Sequence, residues 1–134
     1  MINKKYYFIL FWVVFLLIGC ESKKENTAIY FGGKIINPKT NHVILYKNGE
    51  IIDTIHLGKK NRFLKRFTDL KEGFYYFSHG DENQYVYLES NDSLMIRLNT
   101  WDFDESLVFA GIGAERNNIL IDCFLEDEND NNFF

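Results

Sequence analysis

The chain is poor in the residues that usually carry chemistry. It has 2 cysteines in 134 residues, Cys20 and Cys123, so there is no C-x-x-C redox pair and no disulfide framework. Its three histidines, His42, His56 and His79, stand at no metal-ligand spacing from one another or from a cysteine. They are expected on the solvent-facing side of strands. No G-x-S-x-G frame presents a nucleophile, and no internal repeat is visible. Basic charge is also short, with 15 Lys and Arg against 19 Asp and Glu and a formal net charge of −4. That balance argues against nucleic acid as a partner. No catalytic residue, cofactor or metal site is expected, and the chain is not expected to be an enzyme. The single proline, Pro38, sits in a turn.

What the chain does have comes first at its start. Lys4 and Lys5 precede an unbroken apolar and aromatic run from Tyr6 to Ile18, which ends in Leu17-Ile18-Gly19-Cys20 and is followed by the polar Glu21-Ser22-Lys23-Lys24. That order is the layout of a secretory signal peptide, and its ending resembles the lipobox of bacterial lipoproteins. The small Gly19 admits a peptidase. The thiol of Cys20 can carry a diacylglycerol, and its freed amine can take a further acyl chain. Two or more chains anchor stably where one does not. The run is shorter than the roughly 20 apolar residues of a membrane span, and an uncleaved signal anchor is the alternative.

The expected organisation is therefore a leader over residues 1–19 and a lipidated Cys20 with a polar tether over 20–27. The expected address is the bacterial cell envelope, anchored through acylated Cys20 in the outer membrane and facing the periplasm. Cleavage would also remove Lys4 and Lys5, so lipid rather than surface charge is expected to hold the chain to a membrane.

Residues 28–111 read as one small domain. Short runs of β-branched and aromatic residues alternate with turn signals every 8 to 12 positions. The runs are 28–37, 42–47, 50–57, 62–67, 74–79, 84–89, 93–99 and 106–110, with a loop over 100–105. Asn48-Gly49 is the clearest hairpin signal, since both residues accept the positive φ of a type I′ turn. Gly32-Gly33 predicts a bulge or bend. Leu94, Ile96 and Leu98 alternate with Met95 and Arg97, a half-buried strand pattern. The fold class expected is all-β: a small antiparallel β-sandwich, preceded by a signal-peptide helix and followed by a short C-terminal α-helix. Without a disulfide, its core must come from aromatic and β-branched packing.

Residues 112–134 are expected to hold that helix and an acidic tail. Ala114 to Leu125 places Ile119, Leu120, Cys123 and Phe124 on one stripe. Gly111 and Gly113 suggest a flexible joint, and residues beyond about Glu126 are expected to be disordered. Asp127-Glu128-Asn129-Asp130-Asn131 matches the start of a calcium loop but lacks the following glycine, so it reads as a solvated tail. Two further clusters invite a functional reading beside a structural one. Asp102, Asp104 and Glu105 surround Trp101 and Phe103, a set that could hold sugar or calcium but equally anchors a loop. Lys59, Lys60, Arg62, Lys65, Arg66 and Lys71 could meet anionic headgroups, though an edge strand protected by cations explains them as well.

Several short stretches carry a family resemblance. They are Gly-Lys-Ile-Ile-Asn (33 to 37), Ile-Asp-Thr-Ile (52 to 55), Asn-Arg-Phe (61 to 63), Tyr-Val-Tyr-Leu-Glu (85 to 89), Asp-Ser-Leu (92 to 94) and Gly-Ile-Gly-Ala-Glu-Arg-Asn-Asn (111 to 118). Behind a lipobox, they resemble the N-terminal region of lipoproteins that bear a thioredoxin-like thiol–disulfide oxidoreductase domain further along. The active site of that family is a C-x-x-C in the later domain, and no position here matches it. The resemblance implies a leading domain whose catalytic continuation is missing or encoded elsewhere. Two functions follow as expectations. One is a non-catalytic, lipid-anchored binding or spacer module of unknown ligand, meeting a lipid membrane and a protein partner or following domain. The other is the leading portion of a lipid-anchored oxidoreductase.

Overall fold

The structure, a computed structural model, describes residues 27–131. The leader, Gly19, Cys20 and the last three residues lie outside the described residues. In chain order the elements are β1 (Ile29–Ile36), β2 (His42–Lys47), β3 (Glu50–His56), β4 (Arg62–Phe67), β5 (Gly73–His79), β6 (Glu82–Leu88), β7 (Ser93–Asn99), a one-turn helix α1 (Phe103–Ser106), β8 (Val108–Ile112) and helix α2 (Ala114–Asn131). A short 3₁₀ turn over Lys59–Asn61 precedes β4.

The strands form two four-stranded sheets, which we call A (β4-β1-β7-β8) and B (β3-β2-β5-β6). Their inner faces share one core. Phe31, Ile35, Phe63, Leu94, Ile96 and Leu98 of sheet A meet Val43, Leu45, Tyr75, Phe77, Val86 and Leu88 of sheet B. The period-2 alternation of strands puts every second residue into this layer. Aromatic contacts cross it, with Phe31 5.6 Å from Phe63 and 5.8 Å from Phe77 between ring centres.

Sheet B is built from local hairpins. Asn48 (φ 52°) and Gly49 (φ 84°) both take positive φ at the β2–β3 turn, as the Asn-Gly pair requires. The bulge in this sheet lies between Leu45 and Tyr46, where the register against β3 shifts. Sheet A departs from the purely antiparallel expectation. β1 runs antiparallel to β4 but parallel to β7, with Tyr30 opposite Ser93 and Ile36 opposite Asn99.

Gly32 and Gly33 make neither bulge nor bend, since β1 keeps continuous register with both neighbours. Space explains them better: a Cβ on Gly33 would stand 2.2 Å from the Ile96 carbonyl oxygen. The expected loop over 100–105 contains α1, whose Phe103 packs on the core. The last strand starts at Val108, not at 106, and runs on through Gly111.

Gly111 is therefore part of a strand and no joint. It holds φ 86°, and a Cβ there would lie 2.1 Å from the Ser93 carbonyl oxygen. This close approach to β7 pins the end of the strand that leads, through Gly113, into the helix.

Helix α2 also corrects the sequence reading. It continues through the acidic run to Asn131, where residues beyond 126 were expected to be disordered. The acidic side chains there are exposed, so continuing the helix desolvates none of them. The face turned to the sandwich carries Asn117 and Ile121, 1% and 5% exposed, with Ala114 and Leu125 packed beside them. The expected apolar stripe points outward, with Ile119 56%, Leu120 36% and Phe124 38% exposed and Cys123 exposed as well.

The physical reason lies in two asparagines. The Asn117 side chain accepts the Tyr87 N–H at 2.7 Å and donates to the Tyr87 carbonyl at 2.9 Å. Asn118 does the same for Phe109, at 2.9 Å and 3.0 Å. Each amide acts as one more strand residue at an open sheet edge, β6 of sheet B and β8 of sheet A. The helix thus closes one side of the sandwich by polar contacts that hydrophobic periodicity does not register.

Candidate functional site

Among the described residues, the outer face of sheet B gathers five aromatic side chains, Tyr46, Phe74, Tyr76, Tyr85 and Tyr87. Cross-strand register sets one row over all four strands: Ile51 opposite Tyr46, Tyr46 opposite Tyr76, and Tyr76 opposite Tyr85. Tyr46 and Tyr76 stack at 4.7 Å with planes 6° apart, and Tyr85 meets Tyr76 edge-on at 6.1 Å. In the neighbouring row Phe74 packs edge-on against Tyr87 at 5.0 Å. Ile51 is 60%, Phe74 57% and Tyr85 62% exposed.

Where this face reaches the β6 edge, α2 adds Leu120 and Phe124. With Phe74, Tyr85, Gln84 and Ile121 they line a hollow of about 330 Å³. The outward stripe of α2 is thus one wall of a groove, and the tyrosine row leads into it. Contiguous exposed apolar surface of this kind marks interaction sites. Rigid aromatic rings with a polar tip supply contact area at low entropic cost. The individual aromatics were legible in the sequence, but their alignment was not, because it depends on the register of four strands.

The residues singled out from the sequence fall elsewhere. His79 is 1% exposed, against the expectation of a solvent-facing position. Its Nε2 accepts the Lys39 N–H at 2.9 Å, and its Nδ1 lies 2.9 Å from the His42 carbonyl oxygen. Those partners assign the proton to Nδ1, since a carbonyl can only accept. Burial lowers its pKa. The bond to the His42 carbonyl opposes that shift, and the nearby His42 and Lys39 charges reinforce it. The ring is a fixed pin for the turn that holds Pro38. His42 and His56 stand opposite one another, 6.2 Å between ring centres. Among the described residues no group of three His, Cys, Asp or Glu side chains could hold a metal ion.

The acidic cluster near Trp101 does not converge. Phe103 is buried 6.2 Å from Phe77, while Trp101 is 77% exposed. Asp104 accepts a hydrogen bond from Gln84 at 3.0 Å and ties α1 to β6. Burial raises its carboxyl pKa, the Gln84 bond opposes the shift, and the Glu105 and Glu82 charges add to it.

The basic stretch is also dispersed. Lys65 pairs with Asp53 at 2.8 Å across the edges of the two sheets, Arg66 donates to the Tyr30 hydroxyl at 3.1 Å, and Arg62 faces outward on sheet A. Sequence reasoning missed the ion pair of Arg116 with the buried Asp92. It fastens the first turn of α2 to the β6–β7 turn, where the Asp92 carboxylate also accepts the Glu89 N–H at 2.8 Å.

No family model, curated protein or solved structure matches the chain.

Proposed function

We propose that this chain is a lipoprotein of the bacterial cell envelope, acylated on Cys20 after cleavage behind Gly19. Its sandwich acts as a non-catalytic module that binds a protein partner in the periplasm. The observation that carries the binding reading is the exposed row Ile51–Tyr46–Tyr76–Tyr85 and the groove it enters beside α2. The order of residues 1–24 carries the anchoring reading. A tether of seven residues, 21–27, then separates the lipid from the domain.

Two measurements test these halves separately. Cys20→Ser should abolish palmitate labelling and release the protein from the membrane fraction; labelling that persists refutes the anchor. A photo-crosslinking residue placed at Tyr85 or Phe74 in cells should capture a discrete partner, and one at Lys60, outside the aromatic face, should not. Equal capture at all three positions removes the aromatic face from consideration.

The outward stripe Ile119, Leu120 and Phe124 on α2 favours a second reading, the leading portion of a lipid-anchored thioredoxin-like oxidoreductase. A following domain would cover the groove. An in-frame C-x-x-C in the coding DNA beyond the last codon would establish it, and an immediate stop codon would remove it.

A further inference from the structure

The opposite face of the molecule, the outer side of sheet A, carries a second surface with different chemistry. Register places Arg62 of β4 opposite Lys34 of β1, and Lys34 opposite Arg97 of β7. Three cations from three adjacent strands therefore share one row. At about 4.8 Å between strands the row spans about 10 Å. Among the described residues none of the three makes an ion pair. The outward positions of the sheet are Tyr30, Gly32, Lys34 and Ile36 on β1, Arg62, Leu64 and Arg66 on β4, Ser93, Met95, Arg97 and Asn99 on β7, and Val108, Ala110 and Ile112 on β8, and none is acidic.

Protection of an edge strand accounts for Arg62 alone, because β1 and β7 are interior strands. Like charges facing each other across strands destabilise a sheet, so the row costs the fold something that an anion would relieve.

Beside the row lies a hollow of about 630 Å³, walled by Leu64 and Met95 and lined also by Gly33, Lys34, Arg62 and Arg97. Leu64 is 60%, Val108 52% and Ile112 63% exposed. Cations and aliphatic side chains on one broad sheet face, in a chain of net negative charge, match the charge and apolarity of an anionic bilayer surface.

We propose that the outer face of sheet A docks on a membrane of anionic phospholipid. Lys34, Arg62 and Arg97 contact the headgroup phosphates, and Leu64 and Met95 enter the interface beside them. This rests on the anchoring reading for the reason the face meets a bilayer, because the tether enters the domain at β1, the strand that carries Lys34. Docked this way, sheet A lies on the lipid and the tyrosine row of sheet B faces away from it.

The test uses residues 20–134 with Cys20→Ser, whose β-sheet content is verified by circular dichroism. This chain has no acyl group, so its result does not depend on whether native Cys20 is lipidated. It should sediment with vesicles of phosphatidylglycerol and phosphatidylcholine, should not sediment with phosphatidylcholine alone, and should release as salt rises. Arg62→Gln with Arg97→Gln should weaken binding about 25-fold, about fivefold for each cation lost near an anionic surface. Lys39→Gln with Lys71→Gln removes the same charge away from the row and should weaken it less than twofold. Equal losses for the two pairs overturn the proposal, as does absent binding or equal binding to uncharged vesicles. Calorimetric binding of inorganic pyrophosphate at the row without vesicle binding would assign the site to a soluble phosphorylated solute instead.

Discussion

Single side chains in this domain hold together segments that the sheets leave apart. His79 is the case with a measurable signature. Its folded-state pKa lies below the ordinary value, so the unfolded chain binds the proton more readily. The stability that neutral His79 contributes is full above about pH 6.5, the unperturbed histidine value, and falls as pH drops below it. Urea titrations between pH 8 and pH 5 should show this loss, and His79→Leu should remove that part of the slope while lowering stability at neutral pH. An unchanged slope in the variant would contradict the assignment. Asp104 works in the other direction at lower pH. Its raised pKa means that protonation favours the fold, and its contribution is lost as pH rises through the folded value. Arg116 sets a larger effect. Asp92 is 2% exposed, and Arg116→Ala would leave its carboxylate buried without a cation. A loss of about 2–3 kcal/mol is expected, below the range for fully buried pairs because the arginine is partly in water. Adding Asp92→Asn should recover part of it, which a thermal or chemical melt of the double variant can measure.

At the level of elements, α2 separates what a sequence discloses from what it conceals. All eight strands fall near the positions that alternation and turn residues indicate, and the Asn48-Gly49 hairpin is where the dipeptide puts it. The helix start at Ala114 was equally legible. Its docked face was not. Apolar spacing selects Ile119, Leu120 and Phe124, whereas the docked side combines Ile121, Ala114 and Leu125 with Asn117 and Asn118, which bond two strand edges. An asparagine that completes a ladder has the same spelling as one that faces water. The same limit hid both candidate surfaces, since the tyrosine row and the cation row exist only once strand register is known. Asn117→Ala would strand the N–H and carbonyl of Tyr87, at an expected cost of about 1–3 kcal/mol. Hydrogen exchange should then show amides of α2 opening faster, with those of Leu94 to Leu98 unchanged. Equal acceleration in β7 would mean that helix and sandwich unfold as one unit.

For the molecule as a whole, the two sheets present different chemistries on opposite faces, one aromatic and one cationic with aliphatic neighbours. No helix among the described residues is long and apolar enough to cross a membrane. The parallel pairing of β1 with β7 has a further consequence, in the order of assembly. The partners in that pair, such as Tyr30 and Ser93, are far apart in the chain, while sheet B assembles largely from neighbouring hairpins. Contacts between distant residues form late, because a long loop must close before they return any free energy. On the export route proposed above, a chain that emerges amino end first would have β1 waiting for β7, and sheet A could not close until Ser93–Asn99 had followed Ile29–Ile36 across. Pulsed hydrogen exchange during refolding should protect Tyr76 and Val86 before Phe31 and Ile35. Simultaneous protection of both sets would mean that the first strand finds its place without waiting for the seventh.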